Sequence, residues 1–222
     1  MKKIAVFDVD GTLSDFRLGV ELLKELSGLG AIRGVSKDAF QRQYDEWALA
    51  ADKTAYYDSY LDGYYDSGLV GTDKSVFQEA GARIAAHAFP HFYQEVLAKL
   101  EKHQRDGRFI ILISKSPEQA IAKIAELVNA DAYWGWQFNF DANNKYVDQY
   151  TYPSGESDKA YIINQLATKH HLSLDDSYTY GDSAGDISML HLVAHPTAVN
   201  PEPKLLGEAL ANGWDILETT KV

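Results

Sequence analysis

Five strand-like apolar runs, Lys3–Phe7, Phe109–Ser114, Ala132–Trp136, Ser177–Gly181 and Thr197–Asn200, alternate with segments of helical periodicity. Continuous apolar runs need cover on both faces, and helices between them supply it. The alternation therefore predicts an α/β fold, a doubly wound and mainly parallel sheet. One stretch breaks the pattern. Between Ser14 and about Pro90 there are only helical segments, Phe16–Leu29, Lys37–Ala51 and Ser75–Ala86. The expectation is a helical cap, residues 15–88, inserted after the first strand and hanging over the sheet, with the core built from 1–14 and 89–222. From Trp134 to Tyr152 the pattern is β-like around Asp141-Ala142-Asn143-Asn144. That turn chemistry predicts a hairpin appended to the sheet.

The insertion is rich in aromatic residues. Phe40, Tyr44 and Trp47 fall at i, i+4 and i+7, and Tyr57, Tyr60 and Tyr64 at i, i+3 and i+7, so each set lies along one helix face. Such spacing suits the hydrophobic seam of a small bundle. The alternative is an aromatic wall facing substrate, including a cage for a cationic head group.

At 222 residues with 45% hydrophobic content, the chain can bury a substantial core. Its formal net charge of −11 argues against the broad basic footprint of a nucleic-acid binder. The absence of cysteine excludes disulfides, thiolate ligands and cysteine nucleophiles. Met1-Lys2-Lys3 leads straight into the first strand, and no apolar run approaches a membrane span. A cytoplasmic protein without membrane association is the expectation; nothing in the chain indicates its oligomeric state.

The chemistry concentrates in short segments. Asp8-Val9-Asp10-Gly11-Thr12 follows Ile4-Ala5-Val6-Phe7, which places two carboxylates at the C-terminal end of a buried strand, where open α/β sheets bind ligands. Side chains two apart on a strand point the same way, so Asp8 and Asp10 can converge if the strand continues that far, while Gly11 permits a sharp turn beyond them. One carboxylate could attack phosphorus while the other moves the leaving-group proton. The second buried strand ends in Ser114, whose hydroxyl suits a phosphate oxygen. Ser116 reads as the N-cap of the next helix, with Pro117 at N1 and Gln119 at N3. Lys159 opens a helix that runs to about His170, although a lysine in a first turn opposes the macrodipole, which hints at a function. Asp182 and Asp186, in Gly181-Asp182-Ser183-Ala184-Gly185-Asp186, bring further acids to a strand end. Carboxylates so gathered repel one another unless a cation joins them, and Mg²⁺ fits hard oxygen ligands beside a phosphate.

In order and wording, Asp8-Val9-Asp10-Gly11-Thr12, the strand ending in Ser114, the helix-opening Lys159 and the segment from Gly181 to Asp186 resemble the haloacid-dehalogenase superfamily of phosphohydrolases. Ser114-Lys115-Ser116-Pro117-Glu118 looks most like its phosphoserine-phosphatase branch. The resemblance implies that Asp8 is a nucleophile forming an aspartyl phosphate and that Asp10 is the general acid and base. It implies that Asp8, the carbonyl of Asp10 and Asp182 hold Mg²⁺ with support from Asp186. Ser114, Lys159 and Gly11 would bind the phosphoryl group. Enzymes of that branch carry a Glu nine positions after the nucleophile; this chain has Arg17 there. An Arg repels an ammonium group, so the expected substrate is a small phosphorylated metabolite with an anionic or neutral polar tail, rather than phosphoserine. A phosphotransferase or mutase of the same fold and a non-catalytic phosphate-binding module are the alternatives.

Overall fold

The computed structural model describes residues 1–50, 56, 60–61, 63–151 and 158–220. The sheet contains β1 (Lys2–Asp8), β2 (Phe109–Pro117), β3 (Ala132–Phe140), β4 (Tyr146–Thr151), β5 (Leu172–Gly181), β6 (His195–Val199) and β7 (Asp215–Leu217) in the order β4-β3-β2-β1-β5-β6-β7. All neighbours pair in parallel except β3 and β4. The helices are α1 (Leu18–Gly28), α2 (Lys37–Leu49), α3 (Lys74–His87), α4 (Gln94–Arg105), α5 (Glu118–Leu127), α6 (Lys159–His170), α7 (Ile187–Leu190) and α8 (Pro203–Asn212).

β1 lies at the centre of the sheet and shows why the fold is doubly wound. Ile4, Ala5, Val6 and Phe7 are all fully buried. Ala5 and Phe7 join one apolar cluster, and Ile4 and Val6 join another with Ile162, Ile163 and Leu205. A strand of period two thus feeds two cores, one on each face, which is why it reads as an unbroken apolar run.

The segment between β1 and α4 is helical as expected, and no strand occurs among its described residues. Its side chains Leu22, Leu26, Phe40 and Trp47 belong to the same cluster as Ala5 and Phe7. Phe40 and Trp47 are buried, as the spacing predicted. Of the second aromatic set, Tyr64 packs half-buried against the main apolar cluster and beside Phe40, and Tyr60 does not. Tyr60 is 59% exposed, and Tyr64–Gly68 is a π-helix, whose wider turn breaks the 3.6-residue register on which that expectation rested. Tyr57 and Ala51, which also entered the expectations for this segment, lie outside the described residues.

The hairpin forms where the turn residues placed it. The carboxylate of Asp141 accepts from the backbone N–H groups of Asn143 and Lys145, and Asn144 takes the left-handed conformation at φ 58°. The hairpin is also tied to the inserted helices. Gly71 N–H donates to Tyr146 O, Lys74 N–H to Asn144 O, and the Tyr146 hydroxyl to Tyr65 O at 2.7 Å. Tyr152, the expected end of the hairpin, is outside the described residues.

Candidate active site

Three neighbouring strands, β2, β1 and β5, deliver the predicted groups to one end of the sheet. Asp8 is the last residue of β1, Ser114 lies on β2, and Asp182 directly follows β5. Beyond Asp8 the chain reverses, and Gly11 N–H donates to Ser14 O at 2.8 Å. Gly11 has φ +93°, and a Cβ there would lie 2.2 Å from Asp182 Oδ2. Glycine is required twice over at this position, by backbone conformation and by the closeness of a carboxylate.

Lys159 opens α6, capped by Asp158, whose carboxylate accepts from Tyr161 N–H at 2.9 Å. Its ammonium group is buried and donates to Asp8 Oδ1 and Asp186 Oδ1, each at 2.5 Å. Burial opposes the charge on Lys159, but Asp8 and Asp186 outweigh it and raise its pKa. The sequence oddity of a lysine in a first turn is explained: its partners are acids from β1 and from beyond β5. Asp186 is saturated, because its other oxygen accepts from Asp182 N–H, Ser183 N–H and the Ser183 hydroxyl at 3.0–3.1 Å.

Asp182 is different. Among the described residues its buried carboxylate receives one long hydrogen bond, from the Thr12 hydroxyl at 3.4 Å. Burial, with the charges of Asp8 and Asp186, pushes its pKa up to about 9. Burial likewise raises Asp8, against the pull of Lys159. One oxygen from each of Asp8, Asp182 and Asp186 falls within a span of 4.8 Å. An underbonded carboxylate beside a second one is what a hard divalent cation would neutralise, so the donor set fits Mg²⁺.

Asp10 faces the same cavity with its own partners. Its Oδ2 accepts from the Ser114 hydroxyl at 2.5 Å and the Ser116 hydroxyl at 2.9 Å, and its Oδ1 accepts from Leu18 N–H at the start of α1. Arg17, the N-cap residue of α1, reaches the backbone carbonyl of Asp10 with Nη1 at 3.3 Å. Asp8, Asp10, Arg17, Ser114, Lys159 and Asp182 line a single cavity of about 240 Å³, with Gly11 and Asp186 behind its wall.

Ser116 corrects an expectation. It does not cap the helix: β2 runs on to Pro117, α5 starts at Glu118, and Pro117 occupies the cap position without a side-chain bond. The hydroxyl is committed to Asp10 instead, a tertiary partner that local cap rules cannot anticipate. Lys115, Trp47 and Trp136 also line the cavity. The aromatic-wall alternative anticipated a role such as that of Trp47. Trp136 had no signal, since strand alternation does not say which residue ends at a cavity.

A sequence profile described as haloacid dehalogenase-like hydrolase matches residues 5–191. The histidinol-phosphatase of Neisseria meningitidis serogroup C is 28% identical over 226 residues, covering 98% of this chain and 99% of that protein. An inhibition of morphological differentiation protein of Streptomyces azureus is 34% identical over 129 residues, covering 58% of this chain; the match spans about half, 47%, of that relative's length. The apo structure of a phosphoserine phosphatase superposes with a TM-score of 0.64 at 17% identity, covering 100% of this chain and 95% of the other.

Proposed function

Because the chain belongs to the haloacid dehalogenase-like hydrolase family, we propose that it is a Mg²⁺-dependent phosphatase that hydrolyses a small phosphomonoester through an aspartyl phosphate on Asp8. The observation that carries this reading is the placement of Asp8. It stands at the end of the central strand, ion-paired at 2.5 Å to the buried Lys159, in one cavity with Asp10 and Asp182.

Asp8 attacks phosphorus through a carboxylate oxygen, and the bond to the leaving oxygen breaks with its electron pair going to that oxygen. The Asp10 carboxyl supplies the proton that the leaving oxygen takes up. Asp10, now a carboxylate, removes a proton from water, whose oxygen attacks the phosphorus. The bond from phosphorus to Asp8 then breaks and inorganic phosphate leaves. Lys159 and the Ser114 hydroxyl direct their protons at the phosphoryl oxygens, where charge spreads during transfer. Asp8, the Asp10 carbonyl and Asp182 would hold Mg²⁺, which when bound offsets charge between nucleophile and phosphate. Asp186 keeps Lys159 and the backbone after Asp182 in place through the bonds described above. The helices of residues 15–88 act as the cap, and residues 1–14 and 89–222 as the catalytic core.

Arg17 and Lys115 give the cavity wall two cations, which favours a leaving group with an anionic or hydroxyl-rich tail. A second reading comes from Trp47 and Trp136 on the same wall: they suit a planar ring, as in the phosphate ester named by the Neisseria relative. A panel of phosphomonoesters assayed for phosphate release separates these readings, with phosphoserine, an anionic-tailed ester and histidinol phosphate as members. Asp8→Asn should keep the fold and lose activity by on the order of 10³-fold or more. Trapped phosphoryl adduct on any other residue, or release of phosphate only to an added acceptor hydroxyl, would overturn the hydrolase mechanism.

A further inference from the structure

Ser114 carries one hydroxyl proton, and the proposed reaction asks for it in two places. In this structure it goes to Asp10 Oδ2 at 2.5 Å. With a phosphoryl group in the cavity it goes to a phosphoryl oxygen, and Asp10 loses that donor. The oxygen of Ser114 itself need not move, because Ser116 N–H donates to it at 3.1 Å and holds it on the strand. What remains for Asp10 Oδ2 is the Ser116 hydroxyl, at 2.9 Å. Ser116 is buried, and it lies on the same face of β2 as Ser114, two residues on.

From this we infer that Ser116 is a positioning residue for the acid and base chemistry of Asp10, a role that rests on the phosphatase reading above. Ser116 keeps the Asp10 carboxyl aimed at the leaving oxygen once substrate has claimed Ser114. A hydroxyl suits the task because it can donate to a lone pair of Oδ2 whether or not Asp10 carries its proton, which leaves that proton for the leaving oxygen. Leu18 N–H fixes the other oxygen. Asp10 is thus held at both ends, at Oδ1 by the start of α1 and at Oδ2 by Ser116. A proton donor left free to rotate loses part of the advantage of orientation.

The prediction separates leaving groups. An alkyl phosphate depends on protonation of its leaving oxygen, whereas p-nitrophenolate departs without it. Ser116→Ala should lower the single-turnover rate on an alkyl phosphate by about 10- to 100-fold, less than the roughly 10²–10⁴-fold that general acid catalysis supplies in full, because the acid itself remains. The burst of p-nitrophenolate should fall by less than about threefold, and KM should shift little, because the hydroxyl of Ser116 is spent on Asp10 Oδ2. Ser116→Thr, which restores a hydroxyl, should recover most of the alkyl rate. Equal losses on both esters would overturn the role, as would no loss on the alkyl ester or a Thr variant as slow as the Ala variant. Wild-type enzyme that turns over neither ester would overturn the phosphatase reading, and the role of Ser116 with it.

Discussion

At the scale of single residues, one cation and one histidine carry separate expectations. Arg17 touches the Asp10 carbonyl from an exposed position on the cavity wall, and on the proposed function its guanidinium would meet the part of the substrate that does not react. Arg17→Ala should raise KM about tenfold for an ester with an anionic tail, with kcat little changed, since the binding it removes is remote from phosphorus. Steady-state kinetics on that ester and on p-nitrophenyl phosphate check this, the latter being much less affected. His103 is a stability matter. It is buried on α4 against the Tyr180 hydroxyl at 2.8 Å. Burial, helped by the charges of Arg108 and Lys102, lowers its pKa from the ordinary 6.5 to about 4. The unfolded chain therefore binds a proton in this window that the folded chain refuses. The stability that His103 contributes is complete above about pH 6.5 and drains away as pH falls towards 4. Urea unfolding of the wild type against His103→Gln over that range should show a slope in the wild type that the variant lacks. Lys159 was legible at this scale because a first-turn lysine conflicts with the helix dipole, and a conflict in local preference is a signal. Ser116 was misread because it fits two rules, and the sequence shows only the local one.

At the scale of elements, α3 and α5 meet closely at a glycine. A Cβ on Gly81 would lie 2.2 Å from the backbone oxygen of Gln119, which cannot swing aside as a side chain can. Alanine in an open helix position gains roughly 1 kcal/mol over glycine, but forcing a methyl group into packed backbone loses about 1–3 kcal/mol. The loss should win. For a chain of this size, Gly81→Ala should lower Tm by about 2–4 °C per kcal/mol lost, read by differential scanning calorimetry. The legible elements follow from the same physics. β1 and β2 are covered on both faces and so appear as apolar runs, and the β3–β4 hairpin announces itself through Asp141 and Asn144, whose turn roles are local. Residues 64–68 were not legible in this way, because a helical period of 3.6 was assumed and a π-turn was built. The bonds from the hairpin to the inserted helices were also unreadable, since they depend on backbone groups of Gly71, Lys74 and Tyr65.

At the scale of the whole molecule, a chain of net charge −11 gathers three of its acids within a few ångströms. EDTA should abolish turnover and Mg²⁺ restore it. Ca²⁺ should replace it poorly, because its looser and higher coordination misplaces nucleophile and phosphate. Added Mg²⁺ should also raise Tm, as a ligand of the folded state alone does, by an increment that grows with its concentration. Calorimetry with and without the ion tests this apart from activity. Among the described residues, no helix is long and apolar enough to cross a membrane. The sheet order has one more consequence. β1 precedes the other six strands in the chain yet occupies the centre of the sheet, and its flanking partners, β2 and β5, come far later. Asp8 waits 151 residues for Lys159, and Thr12 waits 170 for Asp182. On the proposed mechanism the nucleophile emerges long before anything that can arm it, and a nascent chain would stay chemically silent until Asp182 has been added.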